Sequence, residues 1–103
     1  MKKFIILFIL LAAVGLNAVG KIGEDCTFNG IRLYGKVRIV SYGEDFKVLS
    51  GSYGEDLRVE PVNAGANACG KWEFVSYGED FKIRLVTYGE DFIIRFTTYN
   101  PGR

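Results

Sequence analysis

One short phrase, Tyr-Gly-Glu-Asp followed by an apolar residue, recurs along the chain and constrains its fold more than any other feature. Complete copies begin at Tyr42, Tyr53, Tyr77 and Tyr88, and an eroded copy spans residues 22–26. Each copy joins a turn to the start of an alternating segment, so one turn-and-strand unit is repeated. The phrase therefore predicts an architecture and does not by itself indicate a chemistry.

The repeats have a second level of order. Residues 35–47 and 70–82 are identical at ten of thirteen positions, which indicates an internal duplication. We predict one all-β repeat domain over residues 19–103, with halves at about 21–60 and 70–103 joined by a turn-rich linker at 61–69.

Within each unit the apolar residues recur at every second position. Phe81, Ile83 and Leu85 share one face of a predicted strand, while Lys82 and Arg84 share the other. The same alternation adds these residues to the predicted core: Val37, Ile39, Phe46, Val48, Trp72, Phe74, Phe92, Ile94 and Phe96. The fold class is therefore compact all-β, built from short strands as a solenoid or a meander.

The turn leaves two architectures open. If it closes a tight hairpin, Tyr88 faces Asp91 and Thr87 faces Phe92. If it is a solenoid corner, each residue stacks on its equivalent eleven positions away. Both arrangements keep the apolar residues on one side, so the alternation does not choose between them. A separate Asn-Gly turn signal lies at Asn29.

The first residues predict export. Lys2 and Lys3 precede an apolar stretch from Phe4 to Leu16, and a small-residue cleavage site ends at Ala18. We therefore predict a signal peptide over residues 1–18 and a periplasmic or secreted protein without a stable membrane anchor after cleavage. An uncleaved anchor is the alternative, although thirteen apolar residues are fewer than the roughly 20 that span a bilayer.

Cleavage would leave 85 residues with 11 basic and 12 acidic side chains, a net charge of −1. Such a balance does not favour nucleic acid as a partner. Cys26 and Cys69 are the two cysteines of the chain, and we predict a disulfide between them because the compartment is oxidising. The bridge would close a loop of about 44 residues and stabilise the fold by about 4 kcal/mol. A free thiol pair or a redox role is the alternative, without a Cys-x-x-Cys motif to support it.

Ten of the twelve acidic residues lie in five Glu-Asp pairs, which raises calcium binding and acid-base hydrolysis as possibilities. The known calcium-loop patterns are absent from the sequence, and identical turns do not supply two carboxyls of different pKa. The chain has no histidine, which excludes histidine-dependent triads and zinc sites. We predict no catalytic residue, metal or cofactor, and interpret the acidic turns as solubilising strand ends.

The polar face of the strands is the candidate binding surface. Its tyrosines and cations near the strand ends are Tyr42, Lys47, Tyr77, Lys82, Arg84 and Tyr88. Tyrosines interleaved with cations suit a glycan, a peptide or a protein partner. The alternative is a cross-strand tyrosine row that packs on neighbouring side chains and pairs with the acidic turns.

The segment Gly-Lys-Trp-Glu-Phe-Val-Ser-Tyr at residues 70–77, with its following strands that end in Val-x-Tyr, resembles a family of small bacterial repeat proteins. Members of that family carry Lys-Val-Tyr-Phe-Val-x-Tyr strands, a Gly-Lys-Trp segment that opens the second half, and a duplicated layout. The resemblance covers about residues 21–103 and departs from the family in its shorter turn. It implies a compact all-β domain with a deep torus knot of seven crossings and an unknown biochemical function.

Together these features predict an exported, non-catalytic structural or binding module. A small periplasmic inhibitor or protein-partner binder is the first alternative, and a calcium- or carbohydrate-binding accessory protein is the second.

Overall fold

The computed structural model describes residues 21–103, so the predicted signal peptide lies outside the described residues. Eight β-strands form in this range, and nothing in it forms a helix long and apolar enough to cross a membrane. The strands are β1 (Thr27–Phe28), β2 (Ile31–Arg32), β3 (Gly35–Ile39), β4 (Phe46–Ser50), β5 (Leu57–Pro61), β6 (Lys71–Phe74), β7 (Phe81–Leu85) and β8 (Phe92–Phe96). The all-β prediction is confirmed.

Strands β3 to β8 form a closed barrel in which every neighbouring pair is parallel, in the order β3-β6-β5-β8-β4-β7. Strands of the first half (β3, β4, β5) alternate with strands of the second half (β6, β7, β8). Both sequence-based architectures were therefore wrong. Strands joined by a Gly-Glu-Asp turn do not pair as a hairpin, and they do not stack as a solenoid, because a strand from the other half lies between them.

The segment at residues 41–44 shows how the chain reaches its next strand. Val40 donates its backbone N–H to the carbonyl of Ile83 on one side of β7, and Asp45 donates to the carbonyl of Lys82 on the other side. Adjacent residues of a strand direct their backbone groups to opposite neighbours. The intervening segment therefore crosses the outer face of β7, and we name such a segment a strap.

Four further segments cross in the same way, so that the two halves are interlaced. They are residues 52–55 over β8, 76–79 over β3, 87–90 over β4 and 97–101 over β5. First-half straps cover second-half strands, and second-half straps cover first-half strands. Residues 62–70 differ from the straps, because they lead from β5 to its direct neighbour β6 and so transfer the chain to the second half.

The barrel interior is built in layers. Equivalent positions of the repeat do not lie opposite each other. Gly35 is equivalent to Gly70 in the repeat but pairs with Trp72, and the other neighbouring strands show the same displacement of two residues. First-layer side chains are Phe46, Leu57, Phe81 and Phe92, and second-layer side chains are Val37, Val48, Val59, Trp72, Ile83 and Ile94. All ten are buried. Gly35 and Gly70 occupy the equivalent repeat position and contribute no side chain to this layer. A Cβ at Gly35 would collide with the carboxylate of Asp80, and one at Gly70 with the carbonyl of Arg58.

The predicted core was wrong for the third layer, which is formed by the last residues of the strands. Ile39, Leu85 and Phe96 have the same alternation as buried residues, yet they are 50%, 46% and 41% exposed. They are the last residues of their strands, and the carboxyl ends of parallel strands meet at one end of the barrel. Phe74 is half-buried there, with its ring centroid 6.3 Å from that of Phe96. We name these four residues the apolar rim.

The opposite end of the barrel is covered by residues 22–34. The predicted Asn-Gly turn is confirmed, since β1 and β2 pair antiparallel around it. Phe28 of this hairpin places its ring 5.5 Å from Phe46 and 5.2 Å from Phe92, between centroids. The predicted disulfide is also confirmed: Cys26 is bonded to Cys69, with Cα atoms 5.8 Å apart. The bridge ties the covering segment to the linker between the halves.

Candidate functional site

The aspartate of each complete repeat fastens its strap to the strand beneath it. Asp91 accepts the backbone N–H of Lys47 through its carboxylate at 2.8 Å and donates its own N–H to the carbonyl of the same lysine at 2.7 Å. The same two-point contact joins Asp45 to Lys82, Asp56 to Ile93 and Asp80 to Lys36. The interpretation of these acids as solubilising strand ends was therefore incomplete, because the aspartates extend the sheet into the turns.

The glutamates of three straps pair with arginines on the strand beneath. Arg84 lies 3.2 Å from Glu44, Arg95 lies 3.2 Å from Glu55, and Arg38 lies 3.8 Å from Glu79. These are the nitrogen-to-oxygen distances of partly exposed pairs, and each contributes little to stability individually. Hydrogen bonding to Arg84 lowers the pKa of Glu44, and hydrogen bonding to Arg95 lowers the pKa of Glu55.

The fourth strap lacks such a pair. Glu90 crosses β4, where Leu49 occupies the position that carries an arginine in β3, β7 and β8. Within the described part of the chain, Glu90 has no basic side chain within 4.0 Å. This strap therefore provides an internal comparison for the contribution of the glutamate.

The tyrosines of the straps project into solvent. Four of them occupy the same repeat position and are 83–84% exposed, and the fifth, in the last strap, is 74% exposed. In their order around the barrel they are Tyr77, Tyr42, Tyr88, Tyr53 and Tyr99, and we name them the tyrosine belt. Such exposure disagrees with the alternative of a tyrosine row packed on neighbouring side chains. Tyr53 and Tyr99 were not among the predicted binding residues, although Tyr53 occupies the same repeat position as the three predicted tyrosines.

Three open grooves lie at three neighbouring straps, and each groove contains a tyrosine, a lysine and an apolar side chain. Their volumes are about 400 to 420 Å³. The grooves contain Tyr77 with Lys36 and Phe74, Tyr42 with Lys82 and Ile39, and Tyr88 with Lys47 and Leu85. The six predicted binding residues thus fall into three adjacent grooves; Lys36 was missed. One further charged side chain lines each groove: Glu73 the first, Arg38 the second and Arg84 the third. Exposed hydroxyl side chains of the straps, Ser76, Ser41 and Thr87, add one polar group to each groove.

The lysines of these grooves are the cations that remain available to a ligand. Lys36, Lys47 and Lys82 have no carboxylate within 4.0 Å among residues 21–103, whereas Arg38, Arg84 and Arg95 do. The strap of Tyr53 differs, because Ile93 of β8 occupies the lysine position and Ser50 occupies the apolar position. Four chemically similar tyrosines therefore have two different surroundings.

No group of three or more metal-ligating side chains is found in the region from residue 21 to the end. A family model described as the 7(1) septoil knot domain matches residues 30–103, which is more than half of the chain. No curated protein matches the sequence.

Proposed function

Since the chain belongs to the family of 7(1) septoil knot domains, we propose that this interlaced barrel is a non-catalytic, exported module that binds its ligand on the tyrosine belt. A fold alone does not specify a function, so the proposal rests on the surface of this particular chain.

The exposure of the belt carries the proposal. Each of the four repeat tyrosines leaves 83–84% of its surface in solvent, although a phenol ring gains much by burial. The straps that hold these rings are anchored to the barrel by the aspartates at both the carboxylate and the backbone. Rigid aromatic side chains lose little conformational entropy on binding, which is why tyrosine is enriched in recognition surfaces.

Two observations support the other parts of the proposal. The Cys26–Cys69 disulfide is typical of exported proteins and rare in the cytosol of most cells. A general acid at neutral pH needs a carboxyl whose pKa is raised, whereas the guanidinium partners lower the pKa of Glu44 and Glu55. These two carboxylates are thus suited to pairing with arginine and not to donating a proton.

The proposal is tested by replacing all five belt tyrosines with serine and measuring retention on isolated cell-envelope material by cosedimentation. We expect the wild-type protein to sediment with the envelope and the five-serine variant to stay in the supernatant, with the near-ultraviolet spectrum of Trp72 unchanged as the folding control. Equal sedimentation of the two proteins would contradict the proposal.

A protein partner is the second candidate, and the apolar rim favours it. Ile39, Leu85 and Phe96 expose 41–50% of their surface together at one end of the barrel, and such apolar patches commonly mark protein interfaces. Digestion of the envelope material with a protease separates the two candidates. Loss of retention after digestion would indicate the protein partner, and unchanged retention would indicate a non-protein component.

A further inference from the structure

We propose that the three lysine-containing grooves of the belt are binding sites for N-acetylated hexosamine residues of a glycan chain. This inference rests on the proposed function and assigns a ligand class to that surface. A fourth groove within residues 21–103, lined by Arg38, Ile39, Phe74, Val75 and Ser76, contains neither a tyrosine nor a lysine.

Each groove offers three kinds of contact at once. The tyrosine ring provides an apolar face against which a pyranose ring stacks. The lysine ammonium, with no carboxylate within 4.0 Å in the described chain, provides donors for a carbonyl oxygen. The apolar side chain, Phe74, Ile39 or Leu85, provides a contact for a methyl group. An acetamido-substituted sugar presents a ring face, an amide carbonyl and a methyl group in one residue.

The charge of the belt favours a neutral ligand. Three arginines beneath the straps, Arg38, Arg84 and Arg95, are paired with strap glutamates. The strap aspartates accept backbone N–H groups. Residues 21–103 carry 11 basic and 12 acidic side chains, so a polyanion would gain no net attraction. A sugar that accepts a hydrogen bond from a lysine without bringing a charge is compatible with this balance.

The arrangement of the grooves favours a polymer. Their straps cross β3, β7 and β4, which are consecutive in the barrel. Equivalent residues of adjacent strands are offset by two residues along the strand and by one strand spacing across the sheet. Together these two offsets separate equivalent residues by about 8 Å. One glycan chain can therefore occupy neighbouring grooves, and each occupied groove raises the effective concentration of the chain at the next.

The test uses two probes that differ in a single substituent. Chitohexaose carries an acetamido group on each sugar, and cellohexaose carries a hydroxyl at the same carbon. We expect chitohexaose to bind the purified protein at least about tenfold more tightly in a nuclear magnetic resonance titration, because both the lysine and the apolar contact need the acetamido group. Equal affinities for the two probes would overturn the inference.

The chain offers a matched control for the tyrosines. Tyr42→Ala should weaken chitohexaose binding by roughly three- to tenfold through loss of stacking. Tyr53→Ala should have the smaller effect, because Ile93 and Ser50 replace the lysine and the apolar residue of that strap. Lys82→Met should match the loss in Tyr42→Ala. Equal effects of Tyr42→Ala and Tyr53→Ala would refute the assignment of the grooves.

Failure of this inference is distinguishable from failure of the proposed function. If neither hexasaccharide binds while the five-serine variant still loses envelope retention, the ligand class is wrong and the belt remains the binding surface. If retention does not depend on the belt, both proposals are wrong.

Discussion

The aspartate contacts give a direct prediction for stability, for which Asp91→Ala is the most informative change. The variant removes the carboxylate that accepts the N–H of Lys47 at 2.8 Å and keeps the backbone hydrogen bond of residue 91. A hydrogen bond to a charged acceptor contributes about 1.5 to 3 kcal/mol. Because this bond is only partly buried and water can replace the carboxylate, we expect the lower end, about 1.5 kcal/mol.

For a domain of this size, 1 kcal/mol corresponds to a change of about 4 to 8 °C in Tm, so Asp91→Ala should melt roughly 6 to 12 °C below the wild type. Circular dichroism on thermal unfolding measures the shift. Glu90→Ala is the matched control, because it removes a carboxylate from the same strap that has no basic partner within 4.0 Å in the described residues. We expect that variant to lie within about 0.5 kcal/mol of the wild type.

Equal losses in Asp91→Ala and Glu90→Ala would refute the reasoning, because the two changes would then act through total charge and not through the contact with β4. Asp91→Asn separates these effects further. It retains an acceptor oxygen and loses the charge, so it should fall between the wild type and the alanine variant.

Three other perturbations have expected outcomes. Leu49→Arg should give Glu90 the partner that the other straps have and stabilise the protein by about 0.2 to 1 kcal/mol in urea unfolding, with no gain in a Glu90→Ala background. The pKa of Glu44 is lowered in the folded state, so the stability that Glu44 contributes is complete above its unfolded pKa and is lost as pH falls through its folded pKa. In Arg84→Met, carbon-detected titration should show the pKa of Glu44 returning toward 4.5, and an unchanged pKa would contradict the assigned cause. Reduction of the Cys26–Cys69 bridge should lower stability by up to about 4 kcal/mol, and an unchanged Tm in reductant would show that the covering segment needs no covalent tie.

Local features of the fold were predictable from sequence because they depend on neighbouring residues. Alternation placed Phe46, Phe81 and Phe92 in the interior, and all three are at most 1% exposed. The Asn29-Gly30 pair predicted a hairpin, which positive φ angles at both residues make possible. The disulfide followed from composition and expected compartment.

The order and direction of the strands were not predictable by the same reasoning. Hairpin, solenoid and interlaced barrel all keep the apolar residues of a strand on one side, so alternation does not distinguish among them. Ile39 shows the consequence, because its alternation is that of Val37 while its exposure is set by its place at the open end of the barrel. The height of the barrel decides that exposure, and no local pattern encodes it.

The role of the acidic turns was hidden for a related reason. Asp91 contacts a strand that lies 44 positions earlier, and Asp45 contacts one that lies 37 positions later. A repeat that looks like a self-contained turn is therefore completed by the other half of the chain. The exposed tyrosines were visible in the sequence, whereas the lysines beside Tyr42, Tyr77 and Tyr88 are supplied by the strands that their straps cross.

Nuclear Overhauser contacts between backbone protons test the interlaced barrel most directly, since the belt, its grooves and the aspartate contacts all depend on that arrangement. The structure predicts contacts from β4 to both β7 and β8, with Val48 opposite Leu85 on one side and Phe92 on the other. It predicts no strand pairing between β4 and β5. Direct pairing of β4 with β5 would contradict the account.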